Sequence, residues 1–400
     1  MEPGGSRCDR ARMPWNQSNP VNERLKFVAA AQSDRCTMAE LCAEFGISRK
    51  TGYKYLQRYE EEGPEGLRDR SSAPHTHPNQ TCEKVEGAIL RVRKAHPRWG
   101  SKKILAVLER EWEAGELPAR STVDAILERA GVVRHRKRRV RWPSSGPPVV
   151  EAHEPNDVWS IDFKGWFRVG DGTRCDPLTV NDVATRASLE LRAMVAPKLE
   201  DVQYRLELLF WELGLPWAML SDNGPPFASR GIGGMSRLSV WLLRLAVQPI
   251  FIQPGHPEQN GRHERFHETV KAETATPPRA SIRAQQGAFS GWRVEYNDER
   301  PHEALGMRTP GELYVPSERQ MPLVLPEHEY DDAFEVRRVR RDGSMKWGGG
   351  FVFLGEALAG ELIGVEDVDG GHWHVHLGPM RLGVLHERSR TVMPFPLEDD

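Results

Sequence analysis

Three acidic residues stand where the sequence pattern predicts the ends of regular elements. Asp162 follows an apolar, strand-like run in VWSIDFKG, and Asp222 ends a second such run at an Asn-Gly turn in WAMLSDNGPPF. A segment without glycine or proline follows a loop-forming stretch that ends at Gly261, and this pattern predicts a helix with Glu264 in its first turn. Magnesium prefers carboxylate oxygens, and two such ions about 4 Å apart can stabilise the attacking and leaving oxygens of a phosphoryl transfer. The three residues are therefore candidate metal ligands at a catalytic site.

The same helix offers a second chemistry. HERFH at 263–267 satisfies the HExxH pattern, in which His263 and His267 would bind zinc and Glu264 would be the general base of a metalloprotease. In a chain with 14 histidines the pattern also arises by chance, and no HxxGxxH extension follows His267. Since a protease would leave Asp162 and Asp222 without a role, it remains a remote alternative.

Four motifs follow one another along the chain from about Asn156 to Tyr314: VWSIDFKG, LSDNGPPF, GHPEQNGRHERFHETVK and YNDERPHEALGMRTPGELY. In this order they resemble the DDE insertion-sequence transposases, whose catalytic core is of the retroviral-integrase type. The resemblance implies a ribonuclease-H-like core in which Asp162, Asp222 and Glu264 are the catalytic residues and the metal ligands. It further implies Mg²⁺ or Mn²⁺ as the cofactor, with two ions at the site.

The resemblance also implies an activity and partners. The chain would bind the terminal inverted repeats of an insertion element, cleave its strands, and transfer the 3′ hydroxyls into target DNA. Double-stranded DNA would be its partner, and it would act as a homodimer or higher homo-oligomer in the bacterial cytoplasm, associated with the nucleoid. A non-catalytic DNA-binding regulator that keeps the fold is the alternative, and the presence of all three acidic residues is the main objection to it.

The spacing of the third acidic residue differs from that in retroviral integrases. The gap between Asp222 and Glu264 holds 41 residues, which is longer, and the excess predicts a loop and an extra-long helix near 237–245. Glu258 and Glu268 are near enough in sequence to be alternatives to Glu264. Lys271 lies two helical turns beyond Glu264, on the same predicted face, and the resemblance implies that it contacts DNA there.

Charge and cysteine usage fit this assignment. The net charge is −2, but residues 1–145 hold 28 Lys and Arg against 19 Asp and Glu, so the excess of positive charge lies in the N-terminal third. The five cysteines form no CxxC pair, and no apolar run is long enough to span a membrane. We expect a reduced cytoplasmic protein.

Two helix-turn-helix units are predicted before the core. In the first, TMAELCAEFGISRKTGYKYLQRYEEEG predicts a small core that includes Ala39, Leu41, Phe45, Ile47 and Tyr53. The residues expected to face DNA from its second helix are Ser48, Arg49, Lys50, Thr51 and Lys54.

The second unit ends in the basic run RHRKRRVRW, which suits phosphate contact. A flexible, solubilising run is the alternative interpretation of this segment. The residues of the run predicted to bind DNA are Arg136, Lys137, Arg138 and Arg139.

The fold class expected is a multidomain chain with N-terminal all-α helix-turn-helix domains, an α/β ribonuclease-H-like core and a small all-β C-terminal domain. Short β-like runs with glycine turns after Phe334 predict the last of these. The predicted boundaries are a disordered segment at 1–15, helix-turn-helix domains at 16–63 and 81–142, linkers at 64–80 and 143–155, the core at 156–316, and a β-barrel-like domain at 330–396.

Overall fold

The structure is a computed structural model that describes residues 19–33, 36–72, 80–113, 115–133, 150–229, 231–252, 261–368 and 370–394. The chain forms two compact units, Met1–Gln80 and Thr81–Asp400, and each is described by itself. Within the described ranges, every helix is too short or too polar to cross a lipid bilayer.

The first unit is a small helical domain. Its helices are α1 (Pro20–Gln32), α2 (Met38–Glu44) and α3 (Arg49–Glu62), followed by a 3-10 turn at Gly63–Leu67. The side chains that precede the three helices, Asn19, Thr37 and Ser48, each accept a hydrogen bond from a first-turn amide. These caps explain why the helices begin where they do.

The core of this unit differs from the prediction at two positions. Tyr53 is 59% exposed and Ala39 is exposed as well, so neither belongs to the core. Gly52 takes that place, since a Cβ atom there would lie 2.8 Å from the sulfur of Cys42 and 2.9 Å from the ring of Phe27. Successive residues of a helix point about 100° apart, so close packing at Gly52 turns Tyr53 toward solvent.

The second unit begins with three more helices, α4 (Glu83–Ala95), α5 (Ser101–Leu108) and α6 (Arg120–Arg129). Apolar residues from all three meet in one buried cluster that includes Ile89, Ile104 and Val123. Trp99, in the turn between α4 and α5, is also buried there and stacks on His96 with the ring centroids 3.7 Å apart.

A six-stranded mixed sheet forms the centre of the second unit. Its strands are β1 (Val158–Phe163), β2 (Phe167–Arg168), β3 (Arg174–Asp182), β4 (Ser188–Met194), β5 (Ala218–Ser221) and β6 (Gln248–Phe251). β3 pairs antiparallel with β1, β2 and β4, whereas β1, β5 and β6 run parallel. Val158 and Trp159, which are successive residues of the central strand β1 and so point to opposite faces, are both buried, and the sheet is therefore covered on both sides.

Four helices pack on this sheet: α7 (Leu199–Leu213), α8 (Arg237–Arg244), α9 (Gly261–Thr274) and α10 (Ile282–Val294). The extra-long helix predicted between Asp222 and Glu264 is wrong, because α8 has only 8 residues. A 3-10 turn at Ile232–Gly234 precedes it, and Gly233 and Gly234 have left-handed φ values of 60° and 69° that an α-helix cannot continue through.

The C-terminal part is all β, as predicted. Its strands are β7 (Phe334–Arg338), β8 (Ser344–Trp347), β9 (Gly350–Phe353), β10 (Leu362–Asp367), β11 (His372–Leu377), β12 (Met380–His386) and β13 (Thr391–Pro394). Five of them form an antiparallel sheet in the order β13-β12-β11-β10-β7, and β8 pairs with β9. The fold class predicted from the sequence, helical N-terminal domains, a mixed α/β core and a small all-β domain, is confirmed.

Two hydrophobic clusters of this unit share α8. Leu238, Trp241 and Leu242 belong to the cluster under the mixed sheet. Val240 and Leu243, on the other side of the same helix, belong to the cluster inside the all-β part. α8 therefore has apolar residues on two sides, and each of these sides is buried against a different cluster.

Candidate active site

The two aspartates lie on neighbouring parallel strands. Ser160 on β1 stands opposite Leu220 on β5. The same register, continued by two residues, brings Asp162 level with Asp222, which directly follows β5. Because neighbouring strands are about 4.8 Å apart, the two side chains lie at one edge of the sheet, at the carboxyl ends of β1 and β5.

The turn after β5 is fixed by its own hydrogen bonds. The side-chain amide of Asn223 donates to the carbonyl oxygen of Ile252 at 2.6 Å. The N–H of Gly224 donates to Oδ1 of Asp222 at 3.1 Å. Asn223 and Gly224 thus hold the backbone beside Asp222, which is a structural role.

Two buried histidines anchor α9 on the sheet. The Nε2 atoms of His263 and His267 lie 2.6 and 2.8 Å from the hydroxyl of Thr179 on β3. Nδ1 of His263 lies 2.9 Å from the hydroxyl of Ser160, and Nδ1 of His267 lies 3.8 Å from Oδ2 of Asp162. Burial lowers the pKa of His263 to about 3 and that of His267 to about 2, so both imidazoles are neutral at physiological pH.

This packing argues against zinc chemistry at HERFH. In an HExxH site the two histidines converge on the metal, whereas here both Nε2 atoms converge on the Thr179 hydroxyl. Glu264 is exposed, while the two histidines are buried against the sheet. The metalloprotease alternative is therefore not supported.

Asp162 lies in a concentration of negative charge. Burial, together with repulsion from Asp222 and Glu264, raises the pKa of Asp162 to about 7, although the N–H of Phe163 and the charge of Lys164 act in the opposite direction. The oxygens of the three carboxylates, all of them in described parts of the chain, are not all within 4.8 Å of one another. The three carboxylates are thus close enough to repel one another but are not drawn together around a single point.

A divalent cation fits this donor set. Carboxylate oxygens are the ligands that Mg²⁺ and Mn²⁺ prefer. The charge of such an ion would also offset the repulsion that disfavours the ionised form of Asp162.

Two lysines lie beside the carboxylates. Lys164 is half-buried, and burial and the charge of Lys271 lower its pKa, while the charges of Asp162 and Glu268 raise it. Lys271, which is exposed on α9, therefore lies close enough to Lys164 to repel it. Both lysines line a cavity of about 300 Å³ with apolar walls that include Phe289.

An exposed tryptophan lines the same cavity. Trp166 is 54% exposed, and the guanidinium groups of Arg168 and Arg174 lie 5.8 and 5.1 Å from its ring centre. Neither Lys164 nor Trp166 is predicted from the sequence as a site residue. The available signal is the tripeptide Lys-Gly-Trp directly after the predicted end of the strand that carries Asp162.

The residues of α3 and its N-cap that are predicted to face DNA differ in exposure and in hydrogen bonding. Arg49, Lys50 and Lys54 are exposed. Ser48 caps the helix by accepting from the N–H of Thr51 at 3.2 Å, and the two hydroxyls lie 2.9 Å apart. The three basic side chains are thus available to a ligand, while the two hydroxyls are engaged with each other.

Other predicted residues lie outside the described parts of the chain. These are Glu258, which is the alternative to Glu264, and the basic residues Arg136, Lys137, Arg138 and Arg139. The second alternative, Glu268, is exposed on α9.

The second helical segment contacts the core directly. Nδ1 of His96 lies 2.9 Å from Oε1 of Glu295, and Lys102 forms an ion pair with Glu303. The guanidinium of Arg300 lies over the ring of Trp99, 5.9 Å from its centre.

Comparisons with known proteins agree with this architecture. Residues 152–257 and 245–310 match two families described as integrase core domain, and these ranges include Asp162, Asp222 and Glu264. Residues 23–75 match a helix-turn-helix domain and residues 51–127 a homeodomain-like domain.

The chain is also similar to proteins of bacterial insertion elements. The chain is 28% identical over 238 residues to the insertion element IS407 uncharacterized 31.7 kDa protein of Burkholderia multivorans, which covers 59% of this chain and 82% of that protein. It is 25% identical over 235 residues to the transposase InsD for insertion element IS2A/D/F/H/I/K of Escherichia coli, which covers 54% of this chain and 73% of that protein. A solved structure, the simian T-cell lymphotropic virus intasome in complex with PP2A regulatory subunit B56 gamma, aligns with 73% of this chain and 97% of that chain at 15% identity and a TM-score of 0.37.

Proposed function

We propose that this chain, which belongs to the insertion-sequence transposases with an integrase-type core, cleaves the ends of its element and joins the 3′ hydroxyls to target DNA. The reaction is a transfer of polynucleotide strands, first to water and then to a hydroxyl. It requires no covalent intermediate between protein and DNA.

One observation supports this proposal above the others. Asp162 and Asp222 stand side by side at the ends of parallel strands, and α9 brings Glu264 near enough to raise the pKa of Asp162. Three carboxylates that repel one another in this way are costly to keep together without a cation. Metal-dependent phosphoryl transfer needs several carboxylates close together without a neutralising partner, as at the carboxyl ends of these strands.

We assign the carboxylates the following roles. Asp162, Asp222 and Glu264 hold Mg²⁺ or Mn²⁺, with two ions in the complete site. The bound metal supplies Lewis-acid stabilisation of the attacking and leaving oxygens. The neutral histidines on α9 hold the helix against the sheet, since both Nε2 atoms are engaged with the hydroxyl of Thr179 and Nδ1 of His263 is engaged with that of Ser160.

The lysines beside the carboxylates would hold the DNA end. Lys164 and Lys271 carry positive charge next to the acidic residues, where a phosphate must enter. The cavity they line, with exposed Trp166 beside it, has room for part of a nucleotide.

Recognition of the element's ends is assigned to the helical domains. The residues of α3 that we propose to contact DNA are Ser48, Arg49, Lys50, Thr51 and Lys54. The basic run adds phosphate contacts through Arg136, Lys137, Arg138 and Arg139, which raise affinity in a salt-dependent way.

The proposal extends to the organisation of the protein. We place the helix-turn-helix domains at 16–63 and 81–142, the catalytic core at 156–316 and the β-barrel-like domain at 330–396. The protein would act on element ends and target DNA as a homodimer or higher homo-oligomer, in the bacterial cytoplasm on the nucleoid.

The test separates chemistry from binding in the full-length chain. With Mg²⁺ and a labelled duplex of the element's end, Asp222→Asn should lower strand cleavage by at least about 100-fold, because loss of a metal ligand removes several kcal/mol of transition-state stabilisation. Binding of the same duplex in a gel-shift titration should change by less than about twofold, since other domains hold the DNA. Cleavage at the wild-type rate in this variant would remove Asp222 from the site.

The glutamate is identified by a matched series. Glu258→Gln, Glu264→Gln and Glu268→Gln each remove one carboxylate, and only Glu264→Gln should abolish cleavage. If wild-type protein binds the ends but cleaves in neither Mg²⁺ nor Mn²⁺, the chain is a DNA-binding regulator instead.

A further inference from the structure

A cluster of metal-binding side chains lies on the sheet of the all-β part. His374 and His376 are two residues apart on β11, so they project from the same face of the sheet. Glu366 on the adjacent strand β10 stands directly opposite His374. Two imidazoles from one strand and a carboxylate from its neighbour therefore converge on this face.

The distances fit direct coordination of one ion. Nδ1 of His374 lies 3.7 Å, and Nε2 of His376 lies 3.5 Å, from the same oxygen of Glu366. All three candidate ligand atoms lie within 4.8 Å of one another. In a tetrahedral zinc site with bonds of about 2.0–2.2 Å, neighbouring ligand atoms are about 3.3–3.6 Å apart, so little movement is needed.

His376 supplies an independent observation. Its Nε2 atom is buried and has no hydrogen-bond partner, although the approach to Glu366 is close. Buried ring nitrogens normally have a hydrogen-bond partner, and coordination of a metal ion would give this nitrogen one. The ring is also held in place, because Phe334 packs edge-on against it with the centroids 5.2 Å apart, and Tyr330 donates to the backbone carbonyl of His376 at 3.2 Å.

We propose that Glu366, His374 and His376 form a zinc site that is separate from the acidic residues of the core. Two imidazoles and one carboxylate favour zinc over magnesium, which prefers oxygen ligands alone. The half-exposed Glu366 leaves a fourth position that water can fill. Bound zinc links β10 to β11 on this face, and the site does not depend on the proposed transposase activity.

The test measures metal binding by the full-length chain. Asp222→Asn serves as the background, so that metal at the acidic residues of the core does not dominate the signal. After metal is stripped, Zn²⁺ is titrated against a chromophoric chelator, and Co²⁺ is added separately to record the visible absorption of a four-coordinate site. We expect one equivalent of zinc and a tetrahedral cobalt spectrum.

Variants locate the ligands. His376→Ala and Glu366→Gln should each weaken zinc binding by at least about tenfold and remove the cobalt spectrum. His372→Ala is the matched control, because His372 lies on the same strand and face but outside the ligand cluster, with its ring 4.5 Å from that of His386. Zinc should raise the thermal unfolding temperature of the background and of His372→Ala, and should leave that of the ligand variants unchanged.

Thermal scans in EDTA show whether the variants are folded. If His376→Ala is unfolded there, Glu366→Gln, which changes one half-exposed side chain, decides the matter. Unaltered zinc binding in both ligand variants, or loss of binding in His372→Ala alone, would overturn the assignment. Failure of DNA cleavage would not, since the readout is metal binding.

Discussion

Replacing Asp162 by asparagine should stabilise the metal-free protein, increasingly so as the pH rises. In the unfolded chain this carboxyl ionises near pH 3.8, whereas in the folded protein burial, together with Asp222 and Glu264, raises its pKa to about 7. Between these values the folded state binds more protons than the unfolded state. The free energy of unfolding therefore falls as pH rises from about 4, and the loss is complete above about pH 7.

The magnitude follows from the two pKa values. Each pKa unit corresponds to about 1.4 kcal/mol, so an increase from 3.8 to about 7 is worth about 4 kcal/mol in total. About 2 kcal/mol of this is already lost at pH 5. The advantage of asparagine over aspartate should therefore grow by about 2 to 3 kcal/mol between pH 5 and pH 8.

The assay is thermal unfolding of Asp162→Asn and wild type in EDTA at pH 5, 6, 7 and 8. Asp201→Asn, which removes an exposed carboxylate from α7, is the control and should show no comparable trend with pH. Added Mg²⁺ should stabilise wild type at pH 8 and should not stabilise Asp162→Asn. Parallel curves for Asp162→Asn and wild type from pH 5 to pH 8 would refute the electrostatic account of this site.

Three further outcomes are expected. Replacing the basic residues 136–139 by alanine should reduce the slope of log affinity against log salt by up to about 3.6 without changing the preferred duplex, and an unchanged slope would make the segment a solubilising run. Lys271→Ala should lower cleavage at limiting DNA by about tenfold with thermal stability and metal binding near wild type, whereas unchanged cleavage would show that Lys271 is only a surface lysine. Arg300→Met should lower the free energy of unfolding of the second unit by about 3 to 5 kcal/mol in thermal unfolding, because Glu273 loses its buried ion-pair partner. Adding Glu273→Gln should recover part of this loss, and full stability of the single variant would contradict the role of the pair.

Much of the core could be predicted because its local signals are strong. The run before Asp162 is apolar enough to mark a buried strand, and the buried residues Val202, Leu206 and Leu209 of α7 recur at helical spacing. The strand–turn context of Asp222 likewise indicates a strand end. Pattern alone cannot supply the parallel pairing of β1 with β5, since partners in a sheet are set by contacts between distant segments.

Other features depend on such distant contacts. Gly52 replaces Tyr53 at the core because two helices approach its backbone closely, which no spacing rule reveals. The HERFH histidines on α9 can be buried because Thr179 on β3, a distant segment of the sequence, provides their hydrogen-bond partner. Lys164 is placed beside Lys271 by the packing of α9 on the sheet, so its proximity emerges only from the fold.

The two-sided burial of α8 has a consequence for how this protein family can gain or lose parts. If the all-β part were deleted, Val240 and Leu243 would become an exposed apolar surface on the core, and the guanidinium of Arg244 would lose the carboxylate of Glu361, which lies 3.6 Å away. Shortened gene copies that stop before this part should therefore yield insoluble protein. Relatives that naturally lack the all-β part should carry polar residues at the positions of Val240 and Leu243, or lack α8 altogether. The segment that contains α8 and the all-β part should therefore be inherited together.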